Sequence, residues 1–592
     1  MRIRPGVCLL ILVCLLYPQS IGLAFNQRLP DLPLEESWGP VIPGIDLQVY
    51  RLNNPVPVKV YVARMDRNNL TTTIESSIAQ GSIAEGRETI TGMAARQNQA
   101  INYWGETWGA RNRVVVAING YFFDGSTGTP WSGVAHSGWY TKRFDDFIGD
   151  AGFAWTVNRT AHIGACVYHI GAKNKFIFKN TGYDPSLRGI NLPAGNGELI
   201  LYTPQYAAST RTSSPPGDPV LEFLVEMTRP SLVLPSPAMA TGYIREINDR
   251  IGSTPIPFDH VVLSAWGSVR TTMLDKISVG EIAVGDEIGV SQEISDCASS
   301  PSQNWTKTYA SIGGDYHFLN NGVIRTDFNN SDAFVRNSRT AIAFNDNFIF
   351  FIVVDAFDPD VSEGLNIAQL ADFVKNVLGA IWGVTLDSGT SSTMVVNGEV
   401  INNTYCNFTR DCGMQLGNEV QKLQDPVVLP PEMTYKTEWD DISGALEPLV
   451  GSGMLMVISE PIVRSYSFVH NQTVATIVNT PIHLGPGNNY DVITTIPSGR
   501  SGIVMPHLNH LEGVLAKGSF WWKVNFGDVN GWVREEHLQG GGIPSSYKLY
   551  LPIMQRLSSA ILLTKNNIKD GNVHSPSRDS RDNHGENIRE SK

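Results

Sequence analysis

The sequence predicts a mixed α/β (α+β) body with mixed sheets, followed by a small all-β barrel. Three observations predict it. Short apolar runs recur from Leu47 to Val290, several with the two-residue alternation of half-buried strands. Residues 348–387 read as strand, helix, strand, the local order of a parallel crossover. Residues 473–538 form a string of short strands separated by turn residues at regular intervals, the mark of a small barrel.

With 592 residues the chain holds more than one domain and can bury a large core. Hydrophobic content of 42% and charged content of 17% suit a folded globular protein. A formal charge of −12, with no basic run beyond the N-terminus, argues against a nucleic-acid partner. Arg2 and Arg4 precede the apolar run Val7–Leu16, and Ser20, Gly22 and Ala24 offer cleavage sites, so residues 1–24 read as a signal peptide. The run is too short for a membrane span, and a secreted protein, extracellular or at the cell surface, is expected. Export makes disulfides plausible among the four remaining cysteines. Cys406 and Cys412 bracket a short loop, and Cys166 with Cys297 is then the other intramolecular pair; sequence alone leaves the connectivity open.

Residues 25–45 are Pro-rich and read as an extended lead-in. Leu47–Leu52 and Val58–Val62 alternate as strands, and Ile90–Tyr103 reads as a helix. Val114–Ile118 is a buried strand that runs into a loop carrying Asn119, Gly120 and Asp124. Further strands are expected at Phe153–Val157, Phe176–Phe178, Glu198–Tyr202, Leu221–Val225 and Ala283–Val290. Gly313, Gly314 and Asp315 form a turn before a hairpin ending at Asn321-Gly322. Arg339 stands just before an apolar strand, and Phe348–Asp355 is a buried strand that ends in a carboxylate. In the helix that follows, Asn366 caps and Gln369 holds the reciprocal position. Ile367, Leu370, Ala371, Val374, Val377 and Leu378 recur at helical spacing, and Gly379 ends it.

The chain then enters Trp382–Asn397, where two apolar runs flank Asp387-Ser388-Gly389-Thr390-Ser391-Ser392. A carboxylate at a strand end, followed by glycine, hydroxyls and loop amides, can hold an anion or a sugar hydroxyl. One competing reading is a plain turn. Another is an aspartic protease, which carries Asp-Ser-Gly-Thr but needs two carboxylates sharing a proton; no second such motif occurs here.

Taken together, Ile118-Asn-Gly-Tyr-Phe-Phe123, Gly313-Gly314, Arg339-Thr-Ala-Ile342 and Leu386-Asp-Ser-Gly-Thr-Ser-Ser392 resemble the phosphodiester glycosidase family. That family includes the mannose 6-phosphate uncovering enzyme and many exported bacterial proteins. The resemblance covers roughly residues 50–420, within a domain read as 46–420, and rests on the order of the motifs more than on any one of them. It implies hydrolysis of a sugar-1-phosphodiester, with a glycan or sugar phosphate as substrate. Such a reaction expels a phosphate ester, so it needs a cation for phosphate and a carboxylate for an oxocarbenium-like transition state or for water. The resemblance and this chemistry together give three catalytic residues: Arg339 for phosphate, Asp387 as base or electrostatic stabiliser, and Asn119 for sugar hydroxyls or phosphate. Gly313, Gly314, Gly389, Ser391 and Ser392 are expected to bind substrate, and Asp315 and Asp355 are secondary carboxylates. Where the family has further glycines this chain has Tyr121, Ser388 and Thr390. At positive φ Ser388 or Thr390 would be strained, and otherwise their side chains would narrow the site, so substrate or activity is expected to differ from the family's.

No cofactor is expected, and a divalent metal such as calcium is left open. Asp355, Asp358 and Asp360 lack full calcium-loop spacing and read as a solvated acidic loop, and His507-x-x-His510 is a weak zinc cue. Residues 421–460 are Pro- and Gly-rich and read as a linker. Ala475–Gly487, Val492–Gly499 and Phe520–Val533 resemble a bacterial SH3 domain spanning 461–540, which implies targeting to cell-wall material. For Trp521, Trp522 and Trp532 a core position is the expected one. Residues 541–592 should be largely disordered. The sequence thus reads as an exported hydrolase acting on an extracellular or cell-wall glycopolymer, the alternative being a non-catalytic carbohydrate-binding protein with a degenerate enzyme domain.

Overall fold

A computed structural model describes residues 38–540, apart from 54, 84–85, 103–109, 145–150, 194–196, 211–218, 230–238, 251, 298–302, 326, 406–411, 417–418 and 423–446. The chain up to Gln539 is one compact unit; a second runs from Gly540, and beyond that residue lies outside the description, as do the expected signal peptide and tail.

The α/β class is not what the chain adopts. Strand is the dominant regular structure of the described residues, with three α-helices among them, α1 (Ile90–Gln97), α2 (Gly267–Ser278) and α3 (Ile367–Asn376). Among the described residues the strand ladders are overwhelmingly antiparallel, and the pairing of Gly189–Ile190 with Leu199–Tyr202 is parallel. A parallel sheet needs a helix in each crossover. This chain has one such unit, and its regular α3 pattern suggested a class that the rest does not share.

That unit lies in an eight-stranded sheet. Phe348–Val354 and Trp382–Thr385 flank Arg339–Phe344, and both run antiparallel to it. They are therefore parallel to each other with one strand interposed, and their C-terminal ends reach the same edge. The crossover holds α3, whose Asn366–Gln369 capping box forms as expected and whose Ile367, Leu370, Ala371, Phe373 and Val374 are buried. Gly379 follows at φ +66°. The Asn321-Gly322 hairpin also forms, with φ of +46° and +76° between His317–Asn320 and Val323–Ile324.

Ala110–Asn119 belongs to a six-stranded sheet, in which Ser452–Pro461 lies between it and Thr72–Ile78. The expected linker 421–460 therefore ends as a central strand of the body, while 423–446 lies outside the described residues. Ser452-Gly-Met-Leu-Met-Val-Ile458 supplies the apolar run; the Pro and Gly around it suggested a tether. The lead-in likewise ends in strand, Gly39–Ile42. A five-stranded sheet contributes Thr308–Gly314, and Cys166–Cys297 is bridged with Cα atoms 5.5 Å apart. Cys412 is also disulfide-bonded, and Cys406 lies outside the described residues.

Residues 473–540 make an eight-stranded sheet around Val474, Ile482, Ile496, Val504, Trp522, Val524 and Val533. Trp521 and Trp532 pack instead in a cluster with Phe258 of the body.

Candidate active site

Three sheets bring strand ends together around Asp387. The Asp387 amide donates to Gly120 O (3.0 Å), the Leu386 amide to Thr340 O (2.8 Å), and the Asp315 amide to Thr385 O (2.9 Å). Asn119 fastens the junction. Its side chain is fully buried, donates to Asp387 O (2.8 Å) and Gly120 O (3.2 Å), and accepts from Thr340 Oγ1 (2.7 Å) and the Thr393 amide (3.1 Å). All of its hydrogen-bonding capacity goes to backbone and neighbours, so Asn119 positions the loop.

The Asp387 carboxyl is 7% exposed and accepts from Ser391 Oγ at 2.6 Å. Burial pushes it up to about 7, against the Ser391 bond and the Ser388 amide, with the Asp315 carboxylate adding to the rise. No cation is among the groups acting on it. Asp315 is pushed up to about 6 by burial and by Asp332, with Arg339 opposing. Two neighbouring carboxyls that titrate near neutrality can each hold or release a proton at working pH, which is what acid–base chemistry needs.

Arg339 lies close by but faces away from solvent, 1% exposed. Its Nε donates to Leu365 O (3.1 Å), Nη2 to Asp332 O and Val335 O (2.9 Å each), and Nη1 meets the Asp332 carboxylate at 3.3 Å. The guanidinium thus ties the 332–339 loop to the start of α3's segment. On that same loop Ser338 Oγ donates to Gly389 O at 2.6 Å, holding the Asp387 turn from the other side.

Within the turn, Gly389 takes φ +72°, whereas Ser388 is extended at −115°. Thr390 is not among the positive-φ residues, so neither added side chain is strained in the way expected. Ser392 Oγ is buried without a partner. Gly313 and Gly314 are needed where sheets press together. A Cβ on Gly313 would lie 2.5 Å from Ser132 Cβ, and one on Gly314 2.5 Å from Val384 Cγ2.

Asp355 is held on an adjoining loop. It is 2% exposed and accepts from Asn402 Nδ2 (3.2 Å) and the Asn403 amide (3.1 Å), with Tyr61 also bonded to it. Burial raises it to about 6 despite these bonds and the attraction of Lys59. Asn402 Nδ2 also donates to Ser392 O (3.1 Å), so one amide joins the Asp355 and Asp387 loops. Sequence reasoning missed Asn402; its only signal is an Asn pair just after the short strand Glu399–Val400.

The acidic loop does not gather its carboxylates. Among the described residues, the one group with metal-ligand spacing is Glu226, Asp259 and His507, at the junction with the C-terminal sheet. There His507 Nε2 donates to Asp259 Oδ2 (2.7 Å), His260 Nδ1 meets Oδ1 (2.6 Å), and Lys523 Nζ lies 3.5 Å from Glu226. His507 Nδ1 accepts the Asn509 amide, which leaves the hydrogen on Nε2. Lys523 Nζ thus pairs with Glu226, one of the three candidate ligands. His510 takes no part and is exposed.

Comparison with known proteins places the family likeness in the same region. Residues 269–417 match the family described as NAGPA, phosphodiester glycosidase. No curated protein matches the chain. Among solved structures, a hypothetical protein from Synechocystis aligns at 15% identity and TM-score 0.43, over 70% of this chain and 62% of that one. The zebrafish N-acetylglucosamine-1-phosphodiester alpha-N-acetylglucosaminidase catalytic domain, auto-inhibited by its pro-peptide, aligns at 13% identity and TM-score 0.31, over 72% and 86%. The chain thus spans less than two thirds of the Synechocystis protein. Residues 269–417, which carry Asp315, Arg339, Asp355, Asp387 and Asn402, are similar to a phosphodiester glycosidase domain.

Proposed function

We propose that this chain is an exported hydrolase that cleaves the glycosidic bond of a sugar-1-phosphodiester in an extracellular or cell-wall glycopolymer. The observation that carries the reading is the Asp387 carboxyl, buried without a cation, with Asp315 near it, inside the segment that matches the family. Asp387 acts as base or electrostatic stabiliser at the anomeric carbon, and Asp315 exchanges the second proton. Ser391 orients Asp387, and Asn119 and Ser338 hold its loop.

Arg339, first assigned to phosphate, enters this reading as the anchor of the 332–339 loop. For the phosphate cation we infer Arg336, half-exposed on that loop and without an ion pair among the described residues. Export rests on the N-terminal residues, and no helix among those described is long and apolar enough to cross a membrane. Targeting by residues 461–540 would use exposed side chains such as Tyr466, Val492 and Ile503, since Trp521, Trp522 and Trp532 are all buried.

The test is release of free sugar from a panel of sugar-1-phosphodiesters by wild type, Asp387→Asn and Arg336→Ala. Turnover that Asp387→Asn loses, with KM raised in Arg336→Ala, supports the assignment. Turnover unaffected by Asp387→Asn removes Asp387 from the chemistry. A folded protein that turns over none of the panel but binds glycan is the carbohydrate-binding alternative.

A further inference from the structure

Phe357 stands on the loop that follows Asp355, with φ of +72°. For a bulky L-residue this left-handed backbone is a genuine outlier, of the kind that gathers at ligand sites. The ring is not hidden in exchange. Phe357 is 49% exposed, while Asp355 and Ala356 just before it are buried. Its ring centroid lies 4.5 Å from that of Tyr405, the planes inclined at 38°. Tyr405 ends the segment whose Asn402 and Asn403 hold Asp355, and Asn402 reaches Ser392 O beyond it. The aromatic pair and the Asp387 loop are thus fastened to the same two asparagine-bearing residues' segment.

An exposed aromatic face, fastened to the segment that frames the Asp387 loop, suits a ligand with one apolar side. A pyranose has an apolar C–H face and a rim of hydroxyls. We propose that Phe357 and Tyr405 form a platform on which a pyranose ring of the substrate stacks by its C–H face, its hydroxyl rim left towards solvent. The proposal rests on the glycosidic reading of the site. The competing account, two loop aromatics that shield each other for stability, makes opposite predictions.

Steady-state kinetics on methyl hexosyl-1-phosphodiesters would compare wild type, Phe357→Ala, Tyr405→Ala and Phe357→Trp. KM should rise about three- to tenfold in both alanine variants, the worth of one aromatic contact, with kcat within about twofold. Phe357→Trp should restore KM. Unchanged KM in both alanine variants overturns the platform and leaves the hydrolase reading standing. Should wild type turn over none of these diesters, saturation-transfer NMR with methyl hexosides decides. Transfer that Phe357→Ala loses keeps the platform while the hydrolase reading fails; absent transfer, or transfer indifferent to Phe357, overturns it. Phe357→Gly relieves the left-handed backbone and should melt no lower than wild type. A fall in its melting temperature with KM unchanged assigns the pair to folding and overturns the proposal.

Discussion

Asp387 and Asp259 are both almost fully buried, at 7% and 1% exposure, yet their carboxyls are displaced in opposite directions. At Asp387 burial wins, because only Ser391 and a backbone amide offset it and Asp315 adds repulsion. At Asp259 burial pushes up as well, but His260 and Lys523, with bonds from His260 and His507, hold the carboxyl well below the usual range. Lys517 reinforces that junction by reaching the backbone of Arg96 and Asn98. The difference separates two uses of a dry carboxyl. Compensated, it locks two parts of the chain together; uncompensated, it keeps a proton within easy exchange, at a cost to stability.

The sharpest way to break this contrast is to neutralise each aspartate in turn. Asp387→Asn should lower turnover by about 10²- to 10⁴-fold while leaving the fold intact, as read by sugar release and circular dichroism. Asp259→Ala should do the reverse, lowering stability by about 3–5 kcal/mol in denaturant titration, since its partners would be left buried and unpaired. Turnover of that variant, measured where it is still folded, should match wild type.

A pH series of melting temperatures sharpens the same point. With a folded value of about 7 and an unfolded value near 4, Asp387 holds a proton in the folded state that the unfolded chain has lost. Its contribution is therefore fully present below about pH 4 and is lost as pH rises through about 7. Asp387→Asn should remove that decline and stabilise the protein at pH 8 by on the order of 3 kcal/mol. Asp259 contributes with the opposite sign: its stability is present above about pH 4 and is lost as pH falls through its depressed folded value. Asn119→Ala should cost about 2–4 kcal/mol by unpairing Thr340, Thr393 and the Asp387 carbonyl, and turnover should fall with it. Smallest of all, Ser391→Ala removes a bond that favours the charged carboxylate. The rising limb of the pH–rate profile should then move up by about one unit.

The contrast also separates what the sequence could convey from what it could not. The Asp387 turn, the Asn119 strand end and α3 with its capping box were legible because each is specified by neighbours in the chain. The Asp259–His507 pair spans 248 positions, and nothing local marks either residue. His507 drew notice only through a spacing to His510 that the fold does not use. Arg339 was assigned to phosphate, whereas its engagement by the Leu365, Asp332 and Val335 carbonyls depends on how a loop folds back, which no local pattern conveys. The fold class was misjudged for a similar reason. One strongly periodic helix outweighed many short strands whose partners lie far away in sequence.

The strand Ser452–Pro461 bears on how the molecule is made. It lies between Ala110–Asn119 and Thr72–Ile78, so two segments synthesised early wait for one that emerges more than three hundred residues later. Until it arrives, each presents an open β edge, rich in Val and Ile in one case and hydroxyl-bearing in the other. Pairing of such high contact order is slow and leaves the nascent body sticky. The loop that carries Asp387 hangs from the end of that sheet through Asn119, so a chain released short of residue 461 would lack both its closing strand and part of the frame that buries the Asp387 carboxyl.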